Sequence, residues 1–213
     1  MITSRYLTLF RYGFYFEVAY NSYMERKGLL IILSGPSGVG KGTIRKQLIE
    51  DSVLPFWYSV SMTTRPMRPG EVNGVDYIFV DDETFDKNVK ENNFLEHVEF
   101  VGHKYGTPRS NVVEKLNQGI NVVLEIDVVG ADTVLKNAAD LHPITFFLVP
   151  PCFQALENRI RGRSTEDNET IQKRLNKAKT ELAKKDKYDH VIVNDTVDRA
   201  AHEIESIIAS YQK

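Results

Sequence analysis

The chain has 213 residues, of which 42% are hydrophobic and 26% are charged, and its formal net charge is -2. These values are ordinary for a soluble globular protein that buries a full core, as one domain with insertions or one domain plus a small partner. They give no reason to expect a nucleic-acid partner, and no apolar run reaches the roughly 18 residues of a membrane span. The single cysteine, Cys152, excludes an internal disulfide and fits a reducing cytosol, so we expect a cytoplasmic protein.

The first 23 residues form an N-terminal extension that is rich in aromatic side chains and poor in charge. Arg11 interrupts it and no small-residue cleavage site follows an apolar stretch, so it is a poor signal peptide. Because Met24 stands just before the first predicted strand, we interpret the extension as the product of an upstream start codon or as appended sequence, without a catalytic role. A packing or oligomerisation segment is the alternative.

The most informative segment is an aliphatic strand, Leu29–Leu33, that runs into a glycine-rich loop ending in Gly40, Lys41, Gly42 and Thr43. Backbone N–H groups of such a loop, the positive end of the following helix and the lysine charge form a nest for the phosphates of a nucleoside triphosphate. In the common form of this loop, a serine or threonine directly follows the lysine and helps to hold Mg²⁺. Gly42 takes that position here, which leaves Thr43 as the candidate metal contact.

Short apolar runs alternate with helical patterns along the chain, which indicates an α/β fold with a parallel sheet covered on both faces. The predicted strands are Leu29–Leu33, Asn121–Ile126, Ile144–Val149 and His190–Val193. The predicted helices are Thr43–Glu50, Ser110–Gln118, Ala131–Ala139 and a longer pair across Phe153–Lys185. Ligands of such sheets bind beyond the carboxyl ends of the strands, where the phosphate loop lies.

Residues 59–109 break this alternation, because turn signals and short β-branched or aromatic segments predict a small, mostly β insertion over the nucleotide site. Its first part, 59–71, is dense in hydroxyl groups and carries Arg65 and Arg68. Arginine forks bind phosphate through two hydrogen bonds, so this segment is a candidate second anion site. Two anion sites indicate two phosphorylated substrates that meet, and therefore phosphoryl transfer.

Three carboxylates are candidates for substrate contacts. Glu96 could accept two hydrogen bonds from a base with adjacent N–H groups, as guanine has. Glu125 and Asp127 end a buried strand, where carboxylates are costly unless cations or Mg²⁺ compensate them. We expect the alternating directions of a strand to turn one of them to the phosphates and the other to a second ligand.

Four arginines, Arg159, Arg161, Arg163 and Arg174, form a third positive group around a polar, acidic loop that we predict to be a second insertion. Arg159 and Arg163 share one face if the helix persists. Phosphoryl transfer requires several cations around the transferring group, and these arginines could supply them. The alternative is a solvated, charged helix face.

Together these segments closely resemble the guanylate kinase family of nucleoside monophosphate kinases, over nearly all of residues 28–210. The resemblance is carried by Ser34–Thr43, Ser59–Tyr77, Tyr105–Thr107, Leu124–Asp127 and Val191–Asp195.

The resemblance implies a P-loop kinase domain over residues 24–213. Its core would hold a five-stranded parallel sheet (28–58, 110–154 and 176–213), with a GMP-binding region at 59–109 and a helical lid at 155–175. The implied reaction transfers the γ-phosphoryl group of ATP to GMP with Mg²⁺. The implied partners are small molecules only; dGMP as a substrate and the oligomeric state stay open.

The resemblance also implies the residues of the site. ATP would contact the loop and an asparagine that flanks adenine: Gly35, Pro36, Ser37, Gly38, Val39, Gly40, Lys41, Gly42, Thr43 and Asn194. GMP would contact Ser61, Arg65, Arg68, Glu71, Tyr77, Glu96, Tyr105, Thr107, Glu125 and Asp127. Catalytic roles would fall to Lys41, Arg65, Arg159, Arg163 and Arg174.

One further departure from the family is Val129, which stands where the family usually has glutamine. Two other functions stay open: a kinase of the same fold that acts on a ribose phosphate, and a non-catalytic module that binds proteins. The intact phosphate loop argues against the module. Ser61, Glu96 and Thr107 argue against a ribose phosphate, because they make sense only if a base is read.

Overall fold

The computed structural model describes residues 27–163 and 167–212, so the aromatic N-terminal extension lies outside the described residues. The strands of this described part are, in chain order, β1 Leu30–Ser34, β2 Phe56–Tyr58, β3 Met62–Thr63, β4 Ile78–Phe79, β5 Phe94–Phe100, β6 His103–Pro108, β7 Asn121–Glu125, β8 Ile144–Val149 and β9 His190–Val193. The α-helices are α1 Lys41–Asp51, α2 Asp82–Lys90, α3 Arg109–Asn117, α4 Val128–Asn137, α5 Phe153–Arg163, α6 Asn168–Leu182 and α7 Val197–Tyr211. Within the same ranges, no helix combines the length and the apolar character that a membrane crossing requires.

The larger sheet has five parallel strands in the order β2-β7-β1-β8-β9. The predicted α/β fold with a five-stranded parallel core is therefore confirmed. The predicted strands at Ile144–Val149 and His190–Val193 have the observed bounds. The observed β1 is shifted by one residue from the predicted Leu29–Leu33, and β7 ends one residue before the predicted Ile126. The sequence patterns missed β2, α2 and α7, and β2 is a three-residue edge strand, too short to show a period.

Alternation along β1 places apolar side chains on both faces of this sheet, and each face carries its own core. Ile31 and Leu33 pack in the core that α1, α5, α6 and α7 cover. Leu30 and Ile32 point to the other side and pack in the core beneath α3 and α4. The near-continuous apolar run of β1 follows from this double burial, as expected for a central parallel strand.

Residues 59–109 form a second sheet of four strands in the order β4-β3-β6-β5, together with the helix α2. Phe85 of α2 stacks on Phe94 of β5 with ring centroids 4.6 Å apart, and Met62 completes this small core. The amide of Asn137 in α4 donates a hydrogen bond to the carbonyl of Leu95 at 3.0 Å, which attaches β5 to the main core. The insertion therefore adds a helix to the predicted strands.

Truncation of the buried core should destabilise the protein, whereas the same truncation at the surface should not. Val123 is fully buried in β7, and Val53 is 92% exposed. We expect Val123→Ala to lower the free energy of unfolding by about 2 kcal/mol, because two methyl groups are lost and a cavity is left. Val53→Ala is the matched control and should change it by less than about 0.5 kcal/mol. Urea denaturation measures both, and equal effects would contradict the core assignment.

Candidate active site

The backbone of the glycine-rich loop between β1 and α1 requires glycine, as Gly40 and Gly38 show. Gly40 has φ 104°, and a Cβ there would lie 2.6 Å from Nδ2 of Asn194. Gly38 has φ 85°, and a Cβ there would meet Ile160 at 2.8 Å. Asp81, Asp127 and Asp167 cap α2, α4 and α6 with their carboxylates, but within the described residues no side chain caps α1. The first amides of α1 are thus available to an anion.

Lys41 begins α1 and turns its ammonium back over the loop. Its Nζ donates hydrogen bonds to the carbonyls of Gly35 at 2.6 Å and Pro36 at 3.3 Å. Burial lowers the pKa of Lys41, and the negative charges of Glu125, Glu181 and Asp127 oppose that shift. The cation lies where loop amides and helix dipole already favour negative charge.

A cavity of about 410 Å³ opens over this loop. It is lined by Ser37, Gly38, Gly40, Lys41, Gly42, Thr43, Glu125 and Asp127. Glu125 and Asp127 therefore face one cavity, and the expectation that strand alternation separates them is wrong. Residues two apart on an extended chain share a face, so alternation would not have separated these two side chains. In addition, β7 ends at Glu125. Asp127 lies beyond the strand and caps α4, where its carboxylate accepts hydrogen bonds from the amides of Val129 and Gly130.

The structure shows which side chain lies beside Gly42. A Cβ on Gly42 would lie 3.5 Å and 3.6 Å from the two carboxylate oxygens of Glu125, an ordinary contact distance. The carboxylate thus lies beside the place where the common form of the loop carries its hydroxyl. Thr43 is exposed and lines the same cavity. Oxygen ligands from a hydroxyl and a carboxylate suit Mg²⁺.

Arg65 and Glu71 form the centre of the second predicted anion site. Arg65 is only 9% exposed, and its guanidinium binds Glu71 through two hydrogen bonds of 3.0 and 2.6 Å. The Glu71 carboxylate also accepts from the backbone N–H of Arg68 at 2.7 Å. The hydrogen bond from Arg65, followed by that from Arg68, lowers the pKa of Glu71. Glu71 therefore fixes the guanidinium, and the Arg68 side chain remains exposed.

Aromatic rings complete this second site. The guanidinium carbon of Arg65 lies 5.3 Å from the ring centroid of Tyr77 and 5.5 Å from that of Phe79. Tyr77 meets Tyr105 edge to face at 5.9 Å. The structure thus brings Arg65, Glu71, Tyr77 and Tyr105 together.

Two of the four candidate base-reading residues line a second cavity, of about 490 Å³, between β5 and α4. Glu96 and Asp127 both face it, and Asp127 is common to the two cavities. The hydroxyl of Thr107 donates to Glu96 Oε1 at 2.7 Å, and burial raises the pKa of Glu96. Val129, 66% exposed, adds an apolar wall. Ser61 lies just before β3 and its carbonyl accepts from the amide of Ile78.

Two arginines of the third positive group, Arg159 and Arg174, reach the phosphate loop. Arg159 donates to the carbonyl of Val39 at 3.1 Å and to that of Asn194 at 2.9 Å. Arg174 donates to the hydroxyl of Ser37 at 3.1 Å. Helix α5 runs to Arg163, but the Arg163 side chain lies outside the described residues. Arg161 pairs instead with Glu157 of its own helix.

Asn194 is buried, and its amide donates to the carbonyl of Val39 at 2.8 Å. In this structure it therefore supports the loop, beside Gly40. The sequence patterns missed Arg45, whose Nε lies 2.9 Å from Glu125 Oε2. The signal was its spacing of four residues from Lys41, which places both on one side of α1.

A phosphate loop at the carboxyl end of a central parallel strand, with a lysine over it and acidic side chains beside it, defines the P-loop kinase class of α/β proteins. The comparisons with known proteins narrow the class. The model of the guanylate kinase family matches residues 27–211. The guanylate kinase of Mesoplasma florum is 49% identical over 185 residues, which cover 87% of this chain and 62% of that relative's length.

A solved structure agrees with the sequence comparison. The guanylate kinase from Anaplasma phagocytophilum superposes with a TM-score of 0.65 at 32% identity, covering 88% of each chain. The chain belongs to the guanylate kinase family.

The Arg65–Glu71 pair should make the stability of the protein depend on pH. The pKa of Glu71 lies below its ordinary value of 4.5 in the folded chain, so the ionised carboxylate stabilises the fold above about pH 4.5. This contribution is lost as the pH falls through the lowered pKa. We expect Glu71→Gln to be less stable than the wild type at pH 7, with the gap closing below about pH 4.5.

Urea denaturation of both proteins between pH 7 and pH 3 measures that gap. Glu83→Gln, at an exposed glutamate in the first turn of α2, is the control and should follow the wild type. A gap for Glu71→Gln that stays constant with pH would contradict the assigned ion pair.

Proposed function

We propose that this protein transfers the γ-phosphoryl group of ATP to GMP and produces ADP and GDP. The observation that carries the proposal is the joint presence of an uncapped, lysine-bearing phosphate loop and a separate anion site around Arg65. A triphosphate donor and a monophosphate acceptor each need such a site. The curated and solved relatives reported above are guanylate kinases, which supports GMP as the acceptor.

The donor half of the site would bind ATP through the loop amides and Lys41. Asn194, which supports the loop, would lie beside adenine. Arg159 and Arg174 already contact the loop, and with Arg163 they would close on the transferring group from a lid at 155–175. Positive charge from several sides offsets the charge that develops on the phosphoryl oxygens.

The acceptor half would bind GMP in the region 59–109. Arg65, Arg68 and Tyr77 would hold its phosphate, and Tyr105 would complete that pocket. Guanine would be read by Ser61, Glu96, Thr107 and Asp127. A carboxylate of this set would accept hydrogen bonds from the adjacent N–H groups of the base. The acceptor phosphate oxygen then attacks the γ-phosphorus in line, without a covalent enzyme intermediate.

We infer that Mg²⁺ accompanies ATP. Across residues 27–163 and 167–212, no three His, Cys, Asp or Glu side chains cluster into a metal site of their own. The ion would therefore take most ligands from phosphates and water, with Thr43 and Glu125 as the oxygen donors that line the cavity. When bound, Mg²⁺ neutralises charge on the phosphates.

Closure of the two halves over both substrates would exclude water and so suppress hydrolysis of ATP. The single, exposed cysteine and the nucleotide substrates both agree with a cytoplasmic location, which we also propose.

An acceptor panel tests the reaction. Release of ADP is followed with GMP, AMP, UMP and ribose 5-phosphate as acceptors. We expect GMP to be preferred by at least about a hundredfold in kcat/KM. A site built to form hydrogen bonds with the groups of one base rejects an acceptor that lacks those groups. Equal rates with AMP and GMP would refute the specificity for guanine. A preference for the ribose phosphate would favour the other kinase function.

Lys41→Ala tests the donor site. We expect it to lower kcat/KM by about a hundredfold or more, because the cation that stabilises the transferring charge is lost, while the melting temperature changes little. Wild-type turnover in this variant would refute the role of Lys41.

A further inference from the structure

Arg45 is a second cation on the helix that begins with Lys41, and the site residues assigned above leave it without a role. It lies one turn after Lys41, so both side chains project from the same side of α1. Its Nε lies 2.9 Å from Glu125 Oε2, and the two side chains are only 30% and 23% exposed. Its Nε–H finds no acceptor in a favourable direction, so the contact is a close ion pair.

The ring of Tyr58 holds the guanidinium of Arg45 in place. The guanidinium carbon lies 4.1 Å from the ring centroid, a distance at which the planar cation stacks on the aromatic face. Tyr58 ends β2 and pairs with Val123 of β7. Glu125 follows Val123 by two residues, so the side chains of Tyr58, Val123 and Glu125 share one face of the sheet. Burial, assisted by the charge of Glu125, raises the pKa of Tyr58, which keeps the ring neutral.

Arg45 is the cation that pairs with the Glu125 carboxylate. Lys41 donates to the carbonyls of Gly35 and Pro36, and it is Arg45 whose nitrogen contacts Glu125. The charge of Glu125 nevertheless acts on Lys41, because it raises the pKa that burial lowers. Without Arg45, the carboxylate would be left half-buried with Lys41 as the cation that it could approach.

We propose that Arg45 is a positioning residue, which holds the Glu125 carboxylate at the rim of the triphosphate cavity and keeps it away from Lys41. The ammonium of Lys41 then stays directed to the phosphates. This role rests on the proposed function, since Lys41 and Glu125 act on ATP in that proposal. Arg45 itself touches no reacting atom.

Two substitutions separate charge from geometry. Arg45→Met keeps the apolar stem and removes the charge, and we expect it to lower kcat/KM for ATP by about tenfold to a hundredfold, because the cavity groups are displaced by a fraction of an ångström. Arg45→Lys keeps a positive charge and should recover part of that loss.

A double-mutant cycle with Glu125→Gln tests whether Arg45 acts through Glu125. In that background Arg45→Met should cost less than about twofold, because the carboxylate that Arg45 positions is gone. A purely structural role would instead lower activity by the same factor in both backgrounds, and that outcome would overturn the proposal. So would wild-type kinetics in Arg45→Met.

Lys46→Met is the matched control, because Lys46 is the next residue of α1 and its side chain is 68% exposed. It should leave kcat and both KM values unchanged. Melting temperatures are recorded for every variant, and if Arg45→Met does not fold, Arg45→Lys completes the cycle. If the wild type releases no ADP with any acceptor, the proposed function is wrong. The same variants are then compared by calorimetric binding of ATP with Mg²⁺. Equal Kd values for the wild type and Arg45→Met would overturn the role of Arg45.

Discussion

The parallel pairing of β1 with β7 is the constraint on which the site depends. The register places Leu33 beside Glu125, so the strand that leads into the phosphate loop and the strand that carries the acidic residues end together. Ile31 and Leu33 are buried under one set of helices and Leu30 and Ile32 under another, so β1 is packed on both of its faces. A one-residue shift would reverse the faces of every side chain in β1 and end the pairing of Leu33 with Glu125.

The charged side chains near the ends of β1 and β7 pair with groups that are close in space and often distant in the chain. Glu125 lies over the first turn of α1, beside Gly42, and Arg45 pairs with it. Lys41 turns toward the loop carbonyls, and Arg159 and Arg174 reach the same loop from α5 and α6. Each of these cations has a specific partner, which limits the cost of holding several charges in a half-buried cavity. The Arg65–Glu71 pair follows the same rule in the insertion.

The sequence predicted best those elements whose residues form a continuous apolar run. The strands at Ile144–Val149 and His190–Val193 are short apolar runs within the sheet. The strand β2 was missed because three residues are too few to show a period, and the helix α2 was missed because Phe85 is its one buried residue. Glu125 and Asp127 were expected to point apart, but β7 ends between them and both line one cavity.

The sequence by itself determined the chemistry: the order of glycines, lysine and hydroxyls between 34 and 43, the arginines near a hydroxyl-rich turn, and the family that carries both. It could do so because a phosphate nest depends on consecutive backbone amides, which are local in the chain. Only the tertiary structure decided which charge pairs with which. Arg45 and Glu125 are 80 positions apart, and Tyr58 stacks on Arg45 from a third element. Those contacts are products of sheet register and helix packing, which no local pattern records.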